Sequence, residues 1–239
     1  MVEPIKSLAK AHAVIELLRV HGARTPSEIA DLINVPRSSA YRLIEGLRAV
    51  DLVAPLPDGR IDLSQRWLRL ADASRAARDD WKAARSVLAR LAAETGLTAY
   101  LAVPRTGSAV CVDWARGRGV ELLILRPGGA LALNAGAASR ALRAHLPDEE
   151  HGDAVAYTPF TLTDPSALAD DGAAIRARGY SLAAEDVTVG ITSLGMPLLG
   201  HRGEAVASLS VGGLSADMRD AAETALPSLQ RAASALSPR

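Results

Sequence analysis

One cysteine in 239 residues rules out an intramolecular disulfide and suits a reducing compartment. Aromatic residues make up only 3% of the chain, so Ala, Leu, Val and Ile must build the core from its 49% apolar content. Net charge is also missing, because 27 Lys and Arg balance 27 Asp and Glu. That balance excludes a polyelectrolyte binder relying on bulk positive charge, although a sequence-specific nucleic-acid binder needs only a local patch. No apolar run reaches membrane-spanning length, and residues 1–10 lack the apolar core of a signal peptide. A soluble, cytoplasmic protein without repeats or low-complexity tracts is expected.

Catalytic groupings are equally scarce. The five histidines, His12, His21, His145, His151 and His201, show no metal-ligand spacing, and His145 and His151 read as surface positions near a helix end. Ser193 lies in ITSLG, but Ile191 stands where a nucleophile elbow needs its first glycine. Cys111, between Val110 and Val112, reads as a buried, inert thiol. Gly117-Arg118-Gly119 lacks the third glycine of a dinucleotide loop, and Glu149-Glu150 and Glu185-Asp186 read as solvated loop charges. Nothing assembles a nucleophile, a base and an orienter, so no enzyme, metal or cofactor is expected.

What is present is concentrated in residues 25–50. Thr25-Pro26-Ser27-Glu28 is a capping box with Pro at the first helical position, opening a helix through Ile33. Asn34-Val35 turn the chain, and Pro36 starts a second helix with Ala40, Leu43, Ile44 and Leu47 on one apolar stripe. Its other face carries Arg37, Ser38, Tyr41, Arg42, Glu45 and Arg48, the residue types that read a major groove. A solvated face on a domain that never meets DNA is the alternative. Leu52–Ala54 and Arg60–Leu63, separated by Pro57-Asp58-Gly59, form a hairpin wing with Arg60 at its tip, suited to a phosphate. Ahead of it, Ser7 can cap a helix with Leu8, Ala11, Ile15 and Leu18 inward and Gly22 as its stop. Three helices and a wing make a winged helix-turn-helix domain over residues 1–63.

Residues 64–96 read as helical, with Trp67, Leu70, Ala71 and Ser74 on one face, a break at Arg78-Asp79-Asp80, and Trp81, Ala84, Leu88 and Leu91 on the next. Residues 64–78 are expected to link two domains and to pack against a second subunit. Trp67 and Trp81 folding back on their own domains is an equal alternative. From 79 to 239 the pattern is mixed. Strands are expected at Thr98–Val103, Ser108–Trp114, Val120–Leu125, Ile191–Leu199 and Ala205–Gly212. Helices are expected at Asn134–Leu146, from the Asp164 cap to Arg178, and at Ala216–Leu236. Hairpin strands interleaved with helices give an α+β fold with an antiparallel sheet.

Three stretches then resemble the IclR family of bacterial transcriptional regulators: residues 27–53, LALNAGAASRALRAHLP at 131–147, and the block at 175–213. The resemblance implies homodimers or tetramers, a double-stranded DNA operator bound by the winged helix, and a GAF-like second domain sensing a small organic molecule. On DNA it implies Ser38, Ser39, Tyr41 and Arg42 nearest bases or phosphates, with Arg37 near the backbone and Arg60 on flanking phosphates. For the effector it implies Ala137 and Ala138 at a helix start, Ile191, Ser193, Ser210 and Gly212 as the far wall, and Leu123 and Leu131 as apolar contacts. Tyr100 and Trp114 are candidate pocket aromatics or plain core. Relative to the family pattern, Asn134 replaces a common His, Arg140 a common Lys, Ala183 an acidic contact, Ser193 a Cys and Gly212 a Ser. Fewer polar groups imply a larger, partly apolar effector, such as an aromatic acid, for a ligand-responsive regulator of repressor type. Two rivals stand beside this reading. One is a small-molecule-binding protein or enzyme that uses the winged helix only to dimerise. The other is a regulator whose second domain has lost its ligand.

Overall fold

The computed structural model describes residues 5–76, 83–118 and 126–237. The chain divides between residues 77 and 78 into two compact units.

The first unit holds α1 (Lys6–His21), α2 (Pro26–Leu32), α3 (Arg37–Ala49), β1 (Val53–Pro55), β2 (Ile61–Leu63) and α4 (Arg66–Ala76). The capping box forms at α2. The Glu28 amide donates to Thr25 Oγ1 at 3.3 Å, and the Thr25 amide donates back to the Glu28 carboxylate at 2.8 Å. The Thr25 amide first, and then the Thr25 hydroxyl, which donates to the same carboxylate oxygen at 2.8 Å, hold the Glu28 carboxyl below its usual range. Asn34, at φ +52°, turns the chain into α3, which Pro36 caps. Ala40, Ile44 and Leu47 bury the inner face of α3, and Ile44 and Leu47 pack with Val14, Leu17, Leu18, Ile29, Val53 and Ile61. The wing strands pair antiparallel, and Arg24 adds a third segment by exchanging two backbone hydrogen bonds with Ile61.

Helix α1 departs from expectation. Ile5, not Ser7, occupies the cap, and Leu8 is 62% exposed. The buried seam runs through Val14, Leu17 and Leu18, because only the C-terminal half of α1 lies over the small core. Trp67 folds back on its own unit, its indole N–H donating to the Leu52 carbonyl at 2.7 Å. The expected break at 78–80, Trp81 and the strand Val120–Leu125 lie outside the described residues.

Among the described residues, the second unit contains a six-stranded antiparallel sheet in the order β5-β4-β3-β8-β7-β6. The strands are β3 (Thr98–Arg105), β4 (Ser108–Ala115), β5 (Ala130–Ala132), β6 (Ser181–Ala184), β7 (Ile191–Leu199) and β8 (Ala205–Leu214). Its helices are α5 (Ala84–Thr95), α6 (Ala137–Arg143), α7 (Pro165–Arg178), α8 (Ser215–Asp220) and α9 (Ala222–Leu236). Strand alternation sorts the side chains. Ala99, Leu101, Val103, Ala207, Leu209, Val211, Leu194 and Leu198 form the main core with α5 and α9. The opposite face carries Tyr100, Ala102, Ser208, Ser210, Gly212, Ser193 and Gly195, and α6 lies across it.

The closing tail is two helices rather than one, and α6 starts at Ala137 rather than Asn134. Gly136, at φ +80°, cannot be helical there, and the Asn134 side chain is engaged elsewhere. Asn134 Nδ2 donates to the carbonyls of Val155 (3.0 Å) and Leu162 (2.7 Å), and its Oδ1 accepts from the Val155 amide (3.0 Å). Residues 155–162 are thereby strapped to the approach to α6. The short strands β5 and β6, at the two ends of that order among the described residues, are not among the strands expected from the sequence.

Candidate functional site

Two groups of residues stand out, one in each unit. In the first, Arg37, Ser38, Tyr41 and Arg42 are exposed on α3, and Ser39 is half-buried. Arg48 pairs with Glu45 at 2.7 Å on the same helix. At the wing, Arg60 Nε donates to Asp58 Oδ2 at 2.7 Å and the Arg60 amide donates to Asp58 Oδ1 at 3.1 Å. Those bonds from Arg60, backbone first, hold the Asp58 carboxyl below its usual range. Among the described residues, neither Arg37 nor Arg42 belongs to an ion pair. The exposed face of α3 therefore offers two unpaired guanidinium groups beside hydroxyl groups, a combination suited to phosphates and base edges.

In the second unit the α6 face of the sheet gathers most of the remaining candidates. Trp114, Tyr100 and Ser210 are successive cross-strand neighbours, and Gly212 pairs with Ser193. The Tyr100 and Trp114 rings stack with centroids 6.3 Å apart, Tyr100 buried and Trp114 half-buried. Ser193 Oγ accepts from the Ala137 amide at 3.2 Å, which leaves its O–H able to donate. Ala138 is buried behind Ala137, and Ile191 is half-buried at the start of β7. Leu131 is buried, with its Cδ1 and Val187 Cγ2 flanking Gly136. Leu123 lies outside the described residues.

Gly195 explains why α6 sits so low on this face. A Cβ at Gly195 would lie 2.6 Å from both the carbonyl carbon and the oxygen of Ala137. Only glycine permits that approach.

Asp186 requires a correction, since it is no solvated loop charge. It is 5% exposed, its Oδ2 accepts from the Gly136 amide at 3.0 Å, and Arg140 Nη1 lies 3.4 Å from the same oxygen. Arg140 also donates to both oxygens of Asp171, at 2.9 and 2.5 Å, and to the Leu182 carbonyl at 3.2 Å. Burial works against the Arg140 charge, but the hydrogen bonds and charges of Asp171 and then Asp186 outweigh it and raise its pKa. The available sequence signal was Arg140 itself, a cation in the otherwise small and apolar AASRAL, which on burial needs carboxylates from elsewhere. Glu185 differs from the expectation as well, adopting φ +59° and accepting the Gly190 amide at 3.1 Å. Thr158 and Thr161 hydroxyls donate to the carbonyls of Glu185 and Asp186, at 2.7 and 2.5 Å, so the strap also fixes this turn.

The histidines near the end of α6 are not surface positions either. His151 Nε2 lies 3.0 Å from the Arg143 carbonyl and 3.1 Å from that of Leu146, and His145 Nδ1 lies 3.2 Å from that of Ala141. Both rings are half-buried against helix-end carbonyls that need a donor. Burial, with the Asp113 charge second, pushes the Cys111 thiol up to about 12, so it is no thiolate nucleophile.

Comparison with known proteins covers both units. The family model described as IclR helix-turn-helix domain matches residues 7–57, and that described as bacterial transcriptional regulator IclR C-terminal matches residues 77–238. The HTH-type transcriptional regulator BhcR of Paracoccus denitrificans is 30% identical over 234 residues, covering 93% of this chain and 82% of its own. The HTH-type transcriptional repressor AllR of Salmonella typhimurium is 26% identical over 218 residues, covering 87% and 79%. Among solved structures, an IclR homologue from Microbacterium hydrocarbonoxydans complexed with 4-hydroxybenzoate superposes with a TM-score of 0.83 at 24% identity, covering 97% and 98% of the two chains.

Proposed function

Because the chain belongs to the IclR family of bacterial transcriptional regulators, we propose that it is a cytoplasmic repressor whose operator binding responds to a small organic acid. Residues 1–63 form the DNA-binding domain, 64–78 the linker and 79–239 the effector domain. In the major groove Ser38, Ser39, Tyr41 and Arg42 approach base edges or phosphates, Arg37 the backbone, and Arg60 of the wing the flanking phosphates. The observation that carries this reading is the pair of exposed arginines on α3, Arg37 and Arg42, left without carboxylate partners among the described residues. An arginine held in solvent without a partner keeps its full charge for a phosphate or a guanine edge.

The protein works as a homodimer that reads a pseudo-palindrome. In support, Ile5 at the cap of α1, Leu8 of α1 and Leu68 of α4 are exposed to 68%, 62% and 68%, apolar surface that a second copy can cover. The effector lies beside the start of α6, over the sheet face, against Leu131, Ile191, Ser193, Tyr100 and Trp114. Its body is apolar or aromatic, since the surrounding groups are mostly aliphatic and aromatic with a few hydroxyls. The complex of the Microbacterium homologue with 4-hydroxybenzoate supports a ligand of that kind. Effector binding shifts a population of operator-competent protein already present.

Fluorescence anisotropy tests the DNA half of this reading, using DNA from upstream of the protein's own and neighbouring genes with random competitor at near-physiological salt. Saturable, competitor-resistant binding is expected, and Arg42→Ala should weaken it by about 1–3 kcal/mol while blurring specificity at one base position. Binding that vanishes with competitor on every fragment would favour the rival in which the winged helix serves only dimerisation.

A further inference from the structure

The start of α6 is already occupied by the protein itself. The Gly136 amide donates to Asp186 Oδ2 at 3.0 Å, and the Ala137 amide donates to Ser193 Oγ at 3.2 Å. Arg140, hydrogen-bonded into this cluster, divides its charge between Asp171 and Asp186, so one guanidinium faces two carboxylates and the group is net negative. Around it the sheet face is rich in hydroxyls. Ser181, which pairs with Gly195 beneath α6, and Ser208, two residues from Ser210, are fully buried, and their hydroxyls have no hydrogen-bond partner among the described residues. A carboxylate brought to this end of the site would meet a like charge and two amides already satisfied.

We propose that Asp186 is the specificity-determining residue of the effector site: it makes the α6 end select a hydrogen-bond donor, a phenol or alcohol hydroxyl, and turns the effector's own carboxylate away from α6. This rests on the effector reading above. A ligand hydroxyl donates to the Asp186 carboxylate, and Ser193 O–H donates to the ligand oxygen. Arg140 acts as a positioning residue, fixing the Asp186 carboxylate through charge and geometry. The acidic group missing at Ala183 relative to the family pattern is thus supplied three residues later, from the start of the turn that follows β6.

Isothermal titration of the full-length protein with 4-hydroxybenzoate, 4-methoxybenzoate and benzoate tests the proposal, alongside Asp186→Asn. The carboxamide oxygen in that variant can still accept the Gly136 amide, and Arg140 is left matched one to one with Asp171. The variant should therefore fold, as far-UV circular dichroism will show. In the native protein, methylating or removing the hydroxyl should weaken binding about tenfold or more, the loss of a charge-assisted hydrogen bond. In Asp186→Asn that discrimination should collapse and benzoate should gain affinity, because the new amide can donate to a carboxylate. A merely structural role for Asp186 would lower all three affinities together and leave their ratio unchanged, which overturns the proposal. Equal binding of all three acids to the native protein also overturns it while leaving the effector reading intact. If none of the three binds either protein, the reading of the site as one for an aromatic acid fails, and this inference falls with it.

Discussion

Replacing Gly195 by Ala isolates the contact on which the second unit's candidate site depends. The new Cβ would sit 2.6 Å from the Ala137 carbonyl group and 3.0 Å from the Ala138 nitrogen. Ordinary contact needs about 3.5–4.0 Å, so α6 and β7 must separate by roughly 1 Å. Backbone, not a flexible side chain, is what must move. The Ser193–Ala137 hydrogen bond is already 3.2 Å and does not survive that shift. Overpacking of this kind costs about 1–3 kcal/mol. For a unit of this size, about 2 kcal/mol lowers the melting temperature by roughly 4–8 °C. Differential scanning calorimetry of the native and variant proteins should show the drop in the transition of the second unit, with that of the first unit unmoved. A melting temperature unchanged to within a degree would show that α6 does not press on β7, and the geometry argued for the site would fall with it.

Gly46 provides the opposite case. It lies within α3, and a Cβ there meets nothing within 4 Å. Gly46→Ala should therefore stabilise the first unit by about 0.5–1 kcal/mol in urea denaturation, and a loss of stability would mean that this face of α3 is not open. Cys111 should resist alkylation at pH 8 in the folded protein and react fully in denaturant, since its thiol is pushed up to about 12. The folded pKa lies above the ordinary 9.0, so the thiol's contribution to stability is complete below about pH 9 and is lost as pH rises toward 12. Rapid modification of the native protein would contradict its burial.

How far the fold could be read from sequence depended on the range of the interactions. The first unit was readable almost throughout because its signals are local: a capping box at Thr25–Glu28, a proline at Pro36, an apolar stripe on α3 and a turn at the wing. Leu8 misled because periodicity says which residues share a face, not how much of that face the core reaches. In the second unit the long strands and α7, with its Asp164 cap, followed from alternation and turn residues, whereas β5 and β6 are too short for alternation to register. Tyr100, Trp114, Ser193, Ser210 and Gly212 share one sheet face, but it is the family resemblance that groups Ser193, Ser210 and Gly212, and the sequence leaves Tyr100 and Trp114 open between pocket and core. Asp186 could not be found that way. Its partners Gly136 and Arg140 lie 50 and 46 residues away, and nothing near 186 in the sequence separates a buried carboxylate from a solvated one.

The zero net charge becomes informative once each cation on the face proposed to meet DNA is traced to its partner. Arg48 and Arg60 each carry a carboxylate two or three residues away, so their charges are offset in the free protein, while Arg37 and Arg42 have no such partner among the described residues. Exposed pairs of this type hold weakly, and a DNA phosphate can compete with Asp58 for Arg60. Salt dependence distinguishes the outcomes. For the proposed homodimer, phosphate contacts through Arg37 and Arg42 alone would release counterions from about four phosphates, for a slope of log K against log salt of roughly −3.6. Recruiting Arg60 from both wings raises the phosphate count to about six and the slope to about −5.4. The steeper value should appear on the specific operator, where the wing is docked, and the shallower one on random DNA, so that Asp58 restrains non-specific binding. Equal slopes on both DNAs would mean that Asp58 does not regulate Arg60. Asp58→Ala then separates the remaining cases: it should tighten binding to random DNA and steepen its slope, leaving the operator slope where it was.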